Sequence, residues 1–177
     1  SLEIKINNNV SYLSFNVEEK TFDTQYIYVD SKYIKPGSDS QKRINLERNN
    51  LKTAKDTWYD KSPDLKFIIP ADGIMTGKFG TKRFYNGKEG SFHNGLDVAA
   101  EKGSPIISPS KGKVILTGNY YYNGKFIVID HGKGLKSIFI HLDDILVEEG
   151  EIINKGDLIG KIGNTGKSAG PHLHWSL

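Results

Sequence analysis

Two short segments of the chain carry side chains that can bind a metal ion. His172 and His174 are separated by one residue, and in a β-strand residues two apart point to the same face. His93 and Asp97 share a face in an extended segment. A helix would also align them, but Gly95 between them favours a loop that enters a strand. Three protein ligands and one open position are typical of catalytic zinc sites. His93, Asp97 and one histidine of the pair would supply three ligands, which leaves the other histidine free to transfer protons.

The two histidine segments belong to a longer series of motifs. A Gly- and Ser-containing run at residues 163–171 leads directly into the His-Leu-His segment, and an apolar stretch at 138–142 contains the isolated His141. The order and approximate spacing of these motifs resemble the lysostaphin-type (LytM-like, M23) zinc metallopeptidases of bacterial cell walls. The resemblance runs from about Phe67 to Leu177. Relatives commonly continue beyond the position of Leu177, so we expect further residues to follow it in the natural protein.

The resemblance implies a role for each of five residues. His93, Asp97 and His174 resemble the zinc ligands, His172 the general base and His141 the second catalytic histidine. Elementary chemistry is consistent with these roles. Bound Zn2+ lowers the pKa of its water to about 7, and an imidazole with a pKa of about 6.5 can accept a proton from that water and return it to the leaving group. A second imidazole can stabilise the tetrahedral oxyanion. The chain has no cysteine, which excludes thiol nucleophiles and thiolate metal sites.

Other polar residues near these motifs receive structural interpretations. We predict that His131 is a loop residue near the site, because it lies between an apolar strand and a Gly-rich turn. Asp143 and Asp144 follow His141 closely, and we expect them to cap the next turn rather than act as a carboxylate base. Phe139 stands where many relatives have tyrosine, and regular strand alternation would place it on the same face as His141.

Composition limits the function classes. The chain has 177 residues, of which 25% are charged and 37% hydrophobic, as in an ordinary globular protein. A net charge of +3 suits an anionic cell-wall polymer without identifying one, and the scattered basic residues do not favour nucleic-acid binding. No apolar run is long enough to span a bilayer, and no signal peptide opens the chain. We therefore expect a mature or trimmed extracytoplasmic protein, in the periplasm or cell envelope.

The sequence predicts two regions, an accessory or regulatory unit at residues 1–62 and a peptidase-like domain at 63–177. Strand-like runs in the first region lie at 2–6, 10–15 and 22–29. In the last of these, Phe22, Tyr26 and Tyr28 share one parity, which predicts that they form its buried face.

One helix is predicted at residues 39–58 of the first region. Ser38 and Gln41 form a capping-box signature before apolar residues at helical spacing, namely Ile44, Leu51, Ala54 and Trp58. Whether this region is a spacer, binds the wall or inhibits the enzyme stays open. An inhibitory side chain in the fourth zinc position could come from Asn16, Glu18, Glu19, Asp23 or Glu47.

The second region is predicted to be almost entirely strand and turn. Short Ile-, Val- and Phe-rich runs lie at 113–117, 125–130, 135–141 and 157–162. The predicted fold class is therefore mainly β, an antiparallel catalytic domain of LytM type with a small N-terminal β unit plus one helix. Loops at 81–91, 119–124 and 164–170 are predicted to form the walls of a groove.

The resemblance implies a zinc endopeptidase that hydrolyses amide bonds of peptidoglycan. The family includes enzymes that cut Gly–Gly bridges and enzymes that cut D-Ala–diaminopimelate cross-links. The N-terminal layout and the residues around His93 and His174 look more like Gram-negative periplasmic members, which favours the cross-link. The alternative is a non-enzymatic or self-inhibited regulator of cell-wall hydrolases. Regulatory protein partners and the oligomeric state stay open.

Overall fold

The computed structural model describes residues 2–6 and 9–177, and its regular structure is mainly antiparallel β-sheet. The N-terminal elements are β1 (Leu2–Ile6), β2 (Asn9–Leu13), β3 (Thr24–Ile27), a 3-10 turn (Ser31–Tyr33) and helix α1 (Ser38–Asp56). Strands β1 and β2 pair only with each other among the described residues, whereas β3 joins a different sheet. None of the described helices has the length and apolar character needed to cross a membrane.

Helix α1 confirms the predicted helix, with small differences at both ends. It begins at Ser38, after Gly37 as N-cap, and no side chain caps it, so the predicted capping box with Ser38 as the cap is wrong. The reason is that Gly37 already holds the extended conformation before the first turn. The helix ends at Asp56 because Thr57 is extended, with its hydroxyl donating to the Ala54 carbonyl at 2.7 Å.

The remaining strands form the body of the protein. They are β4 (Ile74–Gly77), β5 (Lys82–Tyr85), β6 (Lys88–Phe92), β7 (Leu96–Ala99), β8 (Pro105–Ile107), β9 (Gly112–Tyr120), β10 (Gly124–Gly132), β11 (Leu135–Ile145), β12 (Ile152–Ile153), β13 (Leu158–Ile162) and β14 (His172–Ser176). The main sheet has the order β12-β9-β10-β11-β14-β7-β4, and β13 pairs with β11 and β8. This architecture confirms the predicted fold class.

The segment at residues 81–91 is a β-hairpin, so its prediction as a loop is wrong. Strands β5 and β6 pair antiparallel around Asn86 and Gly87, which have φ values of 50° and 78°. Two consecutive positive φ angles are typical of a type I′ turn, and Asn-Gly is the dipeptide that favours it most. The signal was therefore present in the sequence.

Strand β3 lies parallel to β5 and completes a three-stranded sheet with β5 and β6. It alternates as predicted, but its faces are reversed: Tyr26 and Tyr28 are exposed, while Gln25 and Ile27 point inward. Tyr26 stacks on Phe84 of β5 at 5.1 Å, on the outer face. Because β3 shares a sheet with β5, the division at residues 62 and 63 stays a prediction.

The hydrophobic core lies under the central strands of the main sheet. Ile127, Phe139, Leu142 and Leu173 from β10, β11 and β14 are fully buried in it. Full burial of side chains of this size contributes about 1.5–3 kcal/mol each. This core fixes β7, β11 and β14, the strands that carry Asp97, His141, His172 and His174.

Candidate metal centre and groove

His93, Asp97 and His174 form one buried group of potential metal ligands. Each offers a ligand atom, and these atoms lie within 4.8 Å of one another. His93 follows β6, Asp97 lies in β7 and His174 lies in β14, where it is directly opposite Asp97 in the strand register. Two neighbouring strands and the loop before them therefore bring together residues that are 81 positions apart in the chain.

The donor set of this group fits a zinc ion. Nδ1 of His93 donates to the carbonyl oxygen of Lys78 at 2.8 Å, so Nε2 is the nitrogen that could present its lone pair to a bound metal ion. That Nε2 is 2.8 Å from Nδ1 of His174 and 3.0 Å from Oδ1 of Asp97. Two imidazole nitrogens and one carboxylate oxygen are one of the ligand sets found in catalytic zinc sites.

The second oxygen of Asp97 belongs to a charged network. Nη2 of Arg83 donates to Oδ2 of Asp97, and Nε of Arg83 donates to Oε1 of Gln25 at 3.1 Å. Burial by itself would raise the pKa of Asp97, but hydrogen bonds with His174 and His93 and the charge of Arg83 outweigh it. The pKa therefore lies well below its usual range, and the carboxylate is charged and available as a ligand.

His141 is presented by a β-bulge in β11. The register with β10 shifts between Lys125 and Ile127, so that two residues of β11 face one of β10. His141 has a φ of 69°, a left-handed conformation that costs a non-glycine residue about 1–3 kcal/mol and is concentrated at functional sites. Nδ1 of its ring donates to the Thr165 carbonyl at 2.8 Å, and burial together with the neighbouring His172 lowers its pKa to about 3. Its Nε2 is therefore a proton acceptor.

His172 is the second ring beside the metal group. Its Nδ1 donates to the Gly170 carbonyl at 2.8 Å, which leaves Nε2 as the acceptor, 4.0 Å from Oδ1 of Asp97. The ring centroids of His172 and His141 are 4.9 Å apart. The structure thus places two imidazoles, each oriented by a backbone carbonyl, next to three potential metal ligands.

Two adjoining cavities open at this group, and we call them together the groove. One has a volume of about 220 Å³ and is lined by Asp97, His141 and His172, and the other, of about 160 Å³, is lined by His93 and His174. The side chains of Arg83, Tyr85 and Lys167 line both cavities together with His141. The predicted walls at 119–124 and 164–170 do contribute to the groove, and hairpin β5–β6 contributes instead of a loop.

Three predictions about nearby residues are wrong. His131 is not a loop residue: it is buried in β10, where Nδ1 lies 2.9 Å from the Lys111 carbonyl and Nε2 lies 2.7 Å from Oγ of Ser137. Phe139 does not share a face with His141, because the bulge intervenes and Phe139 is fully buried in the core.

The third wrong prediction concerns Asp143 and Asp144. Both lie within β11 rather than at a turn. Asp143 forms an ion pair with Lys102 at 3.0 Å, and Asp144 lies within 4.0 Å of Lys125 and Lys161. Their charges are engaged at the surface, and neither residue lines the groove.

The N-terminal side chains that line the groove are Gln25, Ile27 and Val29. None of the four acids considered as a fourth zinc ligand belongs to the metal group. Glu47 instead accepts from Nε of Arg43 at 2.6 Å and from the backbone N–H of Tyr121 at 2.8 Å. Sequence reasoning missed Gln25 and Arg83, and the alternation of β3 was the signal that could have indicated Gln25.

Residues 91–177 match the sequence profile of peptidase family M23. The chain belongs to this family. A crystal structure described as a peptidase M23 from Pseudomonas aeruginosa is 33% identical and covers 98% of this chain and 64% of its own, with a TM-score of 0.76. A crystal structure of a zinc-containing peptidase from Vibrio cholerae is 35% identical, with a TM-score of 0.57, and covers 66% of this chain and 36% of its own.

The protein is also similar to a curated relative, the peptidoglycan DD-endopeptidase ShyA of Vibrio cholerae. The two are 34% identical over 127 residues, which is 68% of this chain and 30% of ShyA. The chain therefore spans less than a third of the length of that relative. Family membership in M23 agrees with the group of His93, Asp97 and His174, which could bind a metal ion.

Proposed function

We propose that the protein is a zinc-dependent endopeptidase that hydrolyses amide bonds in peptidoglycan. The observation that carries this proposal is the proximity of the buried His93–Asp97–His174 group to two imidazoles oriented by backbone carbonyls. A structural zinc site would have four protein ligands and would not need proton acceptors beside it. The three-ligand set with His141 and His172 next to it is what metal-assisted hydrolysis requires.

Each residue has a task in this proposal. When bound, zinc supplies Lewis acidity, which lowers the pKa of water to about 7 and polarises a carbonyl. His172 would accept a proton from the attacking water at Nε2 and return it to the leaving amine. His141, on the strained bulge, would accept the second proton of the attacking water at Nε2 and donate it in a hydrogen bond to the tetrahedral oxyanion. The Gly170 and Thr165 carbonyls hold these two rings in the required tautomer.

The substrate assignment is supported by the relatives. ShyA is named as a peptidoglycan DD-endopeptidase, and other relatives are named as DD-carboxypeptidase/endopeptidases. We propose the D-Ala–diaminopimelate cross-link as the bond and the periplasm or cell envelope as the location. A regulator without activity is not favoured, because His93, Asp97 and His174 are all present and lie together. Residues 1–62 would be an accessory unit, whose strand β3 forms part of the groove.

Digestion of isolated cross-linked peptidoglycan tests this function. The zinc content of the purified protein is measured first, and the products are then identified by mass spectrometry. The proposal predicts that cross-linked dimers decrease while monomers with new free amines appear. The His174→Ala variant should yield neither. Intact dimers after incubation with zinc-loaded protein would contradict the proposal.

A further inference from the structure

Lys167 is a partly buried cation without a carboxylate partner among the described residues. It lies in the segment between β13 and β14, and its Nζ is 3.3 Å from the ring centroid of Tyr85. Lys136, whose side chain is more deeply buried, by contrast pairs with Asp130 at 3.1 Å. Buried lysines are normally paired in this way. Burial and the nearby charge of Arg83 lower the pKa of Lys167, as expected of a cation that lacks an anion.

The groove as a whole has an excess of positive charge. Among the described residues that line its two cavities, Asp97 is the single carboxylate, whereas Arg83 and Lys167 are both cations. Asp97 is already engaged by Arg83, His93 and His174. A divalent metal ion would increase the positive charge further. The electrostatic field of such a cleft attracts an anionic group of a ligand.

The position of Lys167 indicates which part of a substrate would carry the anion. Lys167 and Gly170 lie in the same segment, and the Gly170 carbonyl orients His172. In the proposed function His172 returns a proton to the leaving amine. Lys167 and His172 line the same cavity, so a group next to the leaving amine would lie in a cavity that Lys167 lines.

We propose that Lys167, backed by the ring of Tyr85, binds a carboxylate adjacent to the leaving amine of the substrate. This inference rests on the proposed function and deepens it. In a D-Ala–diaminopimelate cross-link the acylated amine belongs to a carbon that also bears a free carboxylate. In an internal Gly–Gly bond the corresponding carboxyl is part of the next amide and carries no charge. Lys167 would therefore select the cross-link over a glycine bridge.

The test compares two cross-linked muropeptide dimers that differ only in this carboxylate, which is free in one and amidated in the other. The specificity constant kcat/KM is measured for both substrates with wild type, Lys167→Met and Lys167→Arg. Lys88→Met is the matched control, because Lys88 lies on the same hairpin as Tyr85 but is exposed and does not line the groove. Because a hydrogen bond to a charged group is among the stronger ones, we expect wild type to favour the free carboxylate at least about tenfold in kcat/KM.

Lys167→Met should abolish this preference with zinc content unchanged, whereas Lys167→Arg and Lys88→Met should retain it. The same substrate pair is also bound to His172→Ala, with and without Lys167→Met, by calorimetry. The binding measurement separates the two proposals. If His172→Ala binds the dimer with the free carboxylate more tightly but wild type cleaves neither dimer, the subsite is supported and the endopeptidase is contradicted. Equal binding of both dimers, or a preference that survives Lys167→Met, overturns the subsite.

Discussion

Gln25 accepts a hydrogen bond at 3.1 Å from Nε of Arg83, and Nη2 of the same guanidinium donates to Asp97. The N-terminal strand β3 is therefore connected to a potential metal ligand through a single side chain. An inhibitory segment would be expected to put its own ligand into the metal group, and Gln25 instead holds the cation that orients Asp97. This relationship favours a supporting role for β3.

Replacing Gln25 by alanine is predicted to weaken zinc binding. Loss of its carbonyl frees Arg83 to rotate, so Asp97 is less well oriented, and losses of this kind typically reduce metal affinity about 10–100-fold. Competition with a chromophoric chelator measures the affinity. Thr24→Ala is the control, because Thr24 is the neighbouring exposed residue of β3. Equal affinities of Gln25→Ala and wild type would show that the network does not support the site.

Substitution of single histidines is predicted to separate metal binding from turnover. His174→Ala should lose zinc, because one of three buried ligand atoms disappears. His172→Ala and His141→Ala should retain zinc and lose about 100-fold or more in turnover, as is usual for a positioned acid or base. Metal analysis and peptidoglycan digestion check both properties on the same samples. If His172→Ala lost zinc and His174→Ala kept it, the roles within the pair would be reversed.

Gly166→Ala is predicted to destabilise the fold by about 1–3 kcal/mol. Gly166 has a φ of 70°, and a Cβ there would collide with the backbone of Gly124 and Tyr122. Gly170 is the matched control in the same segment, since a Cβ at that position would meet no atom within 4 Å. Urea unfolding measures both variants. Equal stability of Gly166→Ala and Gly170→Ala would contradict the tight packing against Gly124.

The stability of the fold is predicted to decrease as the pH falls below about 6.5, in part through His131. Burial lowers the pKa of His131, so below the pKa of the unfolded chain the unfolded state binds more protons. The contribution of neutral His131 to the free energy of unfolding is therefore fully present above about pH 6.5. It is lost as the pH falls toward the lowered pKa that His131 has in the folded protein.

The test is urea unfolding of metal-free protein at pH 7 and pH 5. His131→Gln should show a smaller decrease in the free energy of unfolding than wild type over this interval. Some decrease should remain in the variant, because burial also lowers the pKa of His141 and His174. An identical decrease in both proteins would exclude a contribution from His131.

The sequence predicted the elements whose signals are local. Period-two spacing was enough to bring His172 and His174 to one strand, and apolar residues at helical spacing located α1. The contact between Gln25 and Arg83 joins residues 58 positions apart, and no local pattern indicates such a pair. Phe139 was placed on the wrong face because a bulge changes strand parity, and a regular alternation cannot anticipate it.

The most direct test of the zinc endopeptidase is metal removal and restoration on a purified D-Ala–diaminopimelate cross-linked dimer. Metal-depleted protein should leave the dimer intact, and activity should return as zinc is added, reaching its maximum near one equivalent per chain. Mass spectrometry of the products should show cleavage at the cross-link. Cleavage that is equally fast without metal, or none by the zinc-restored protein, would contradict the account.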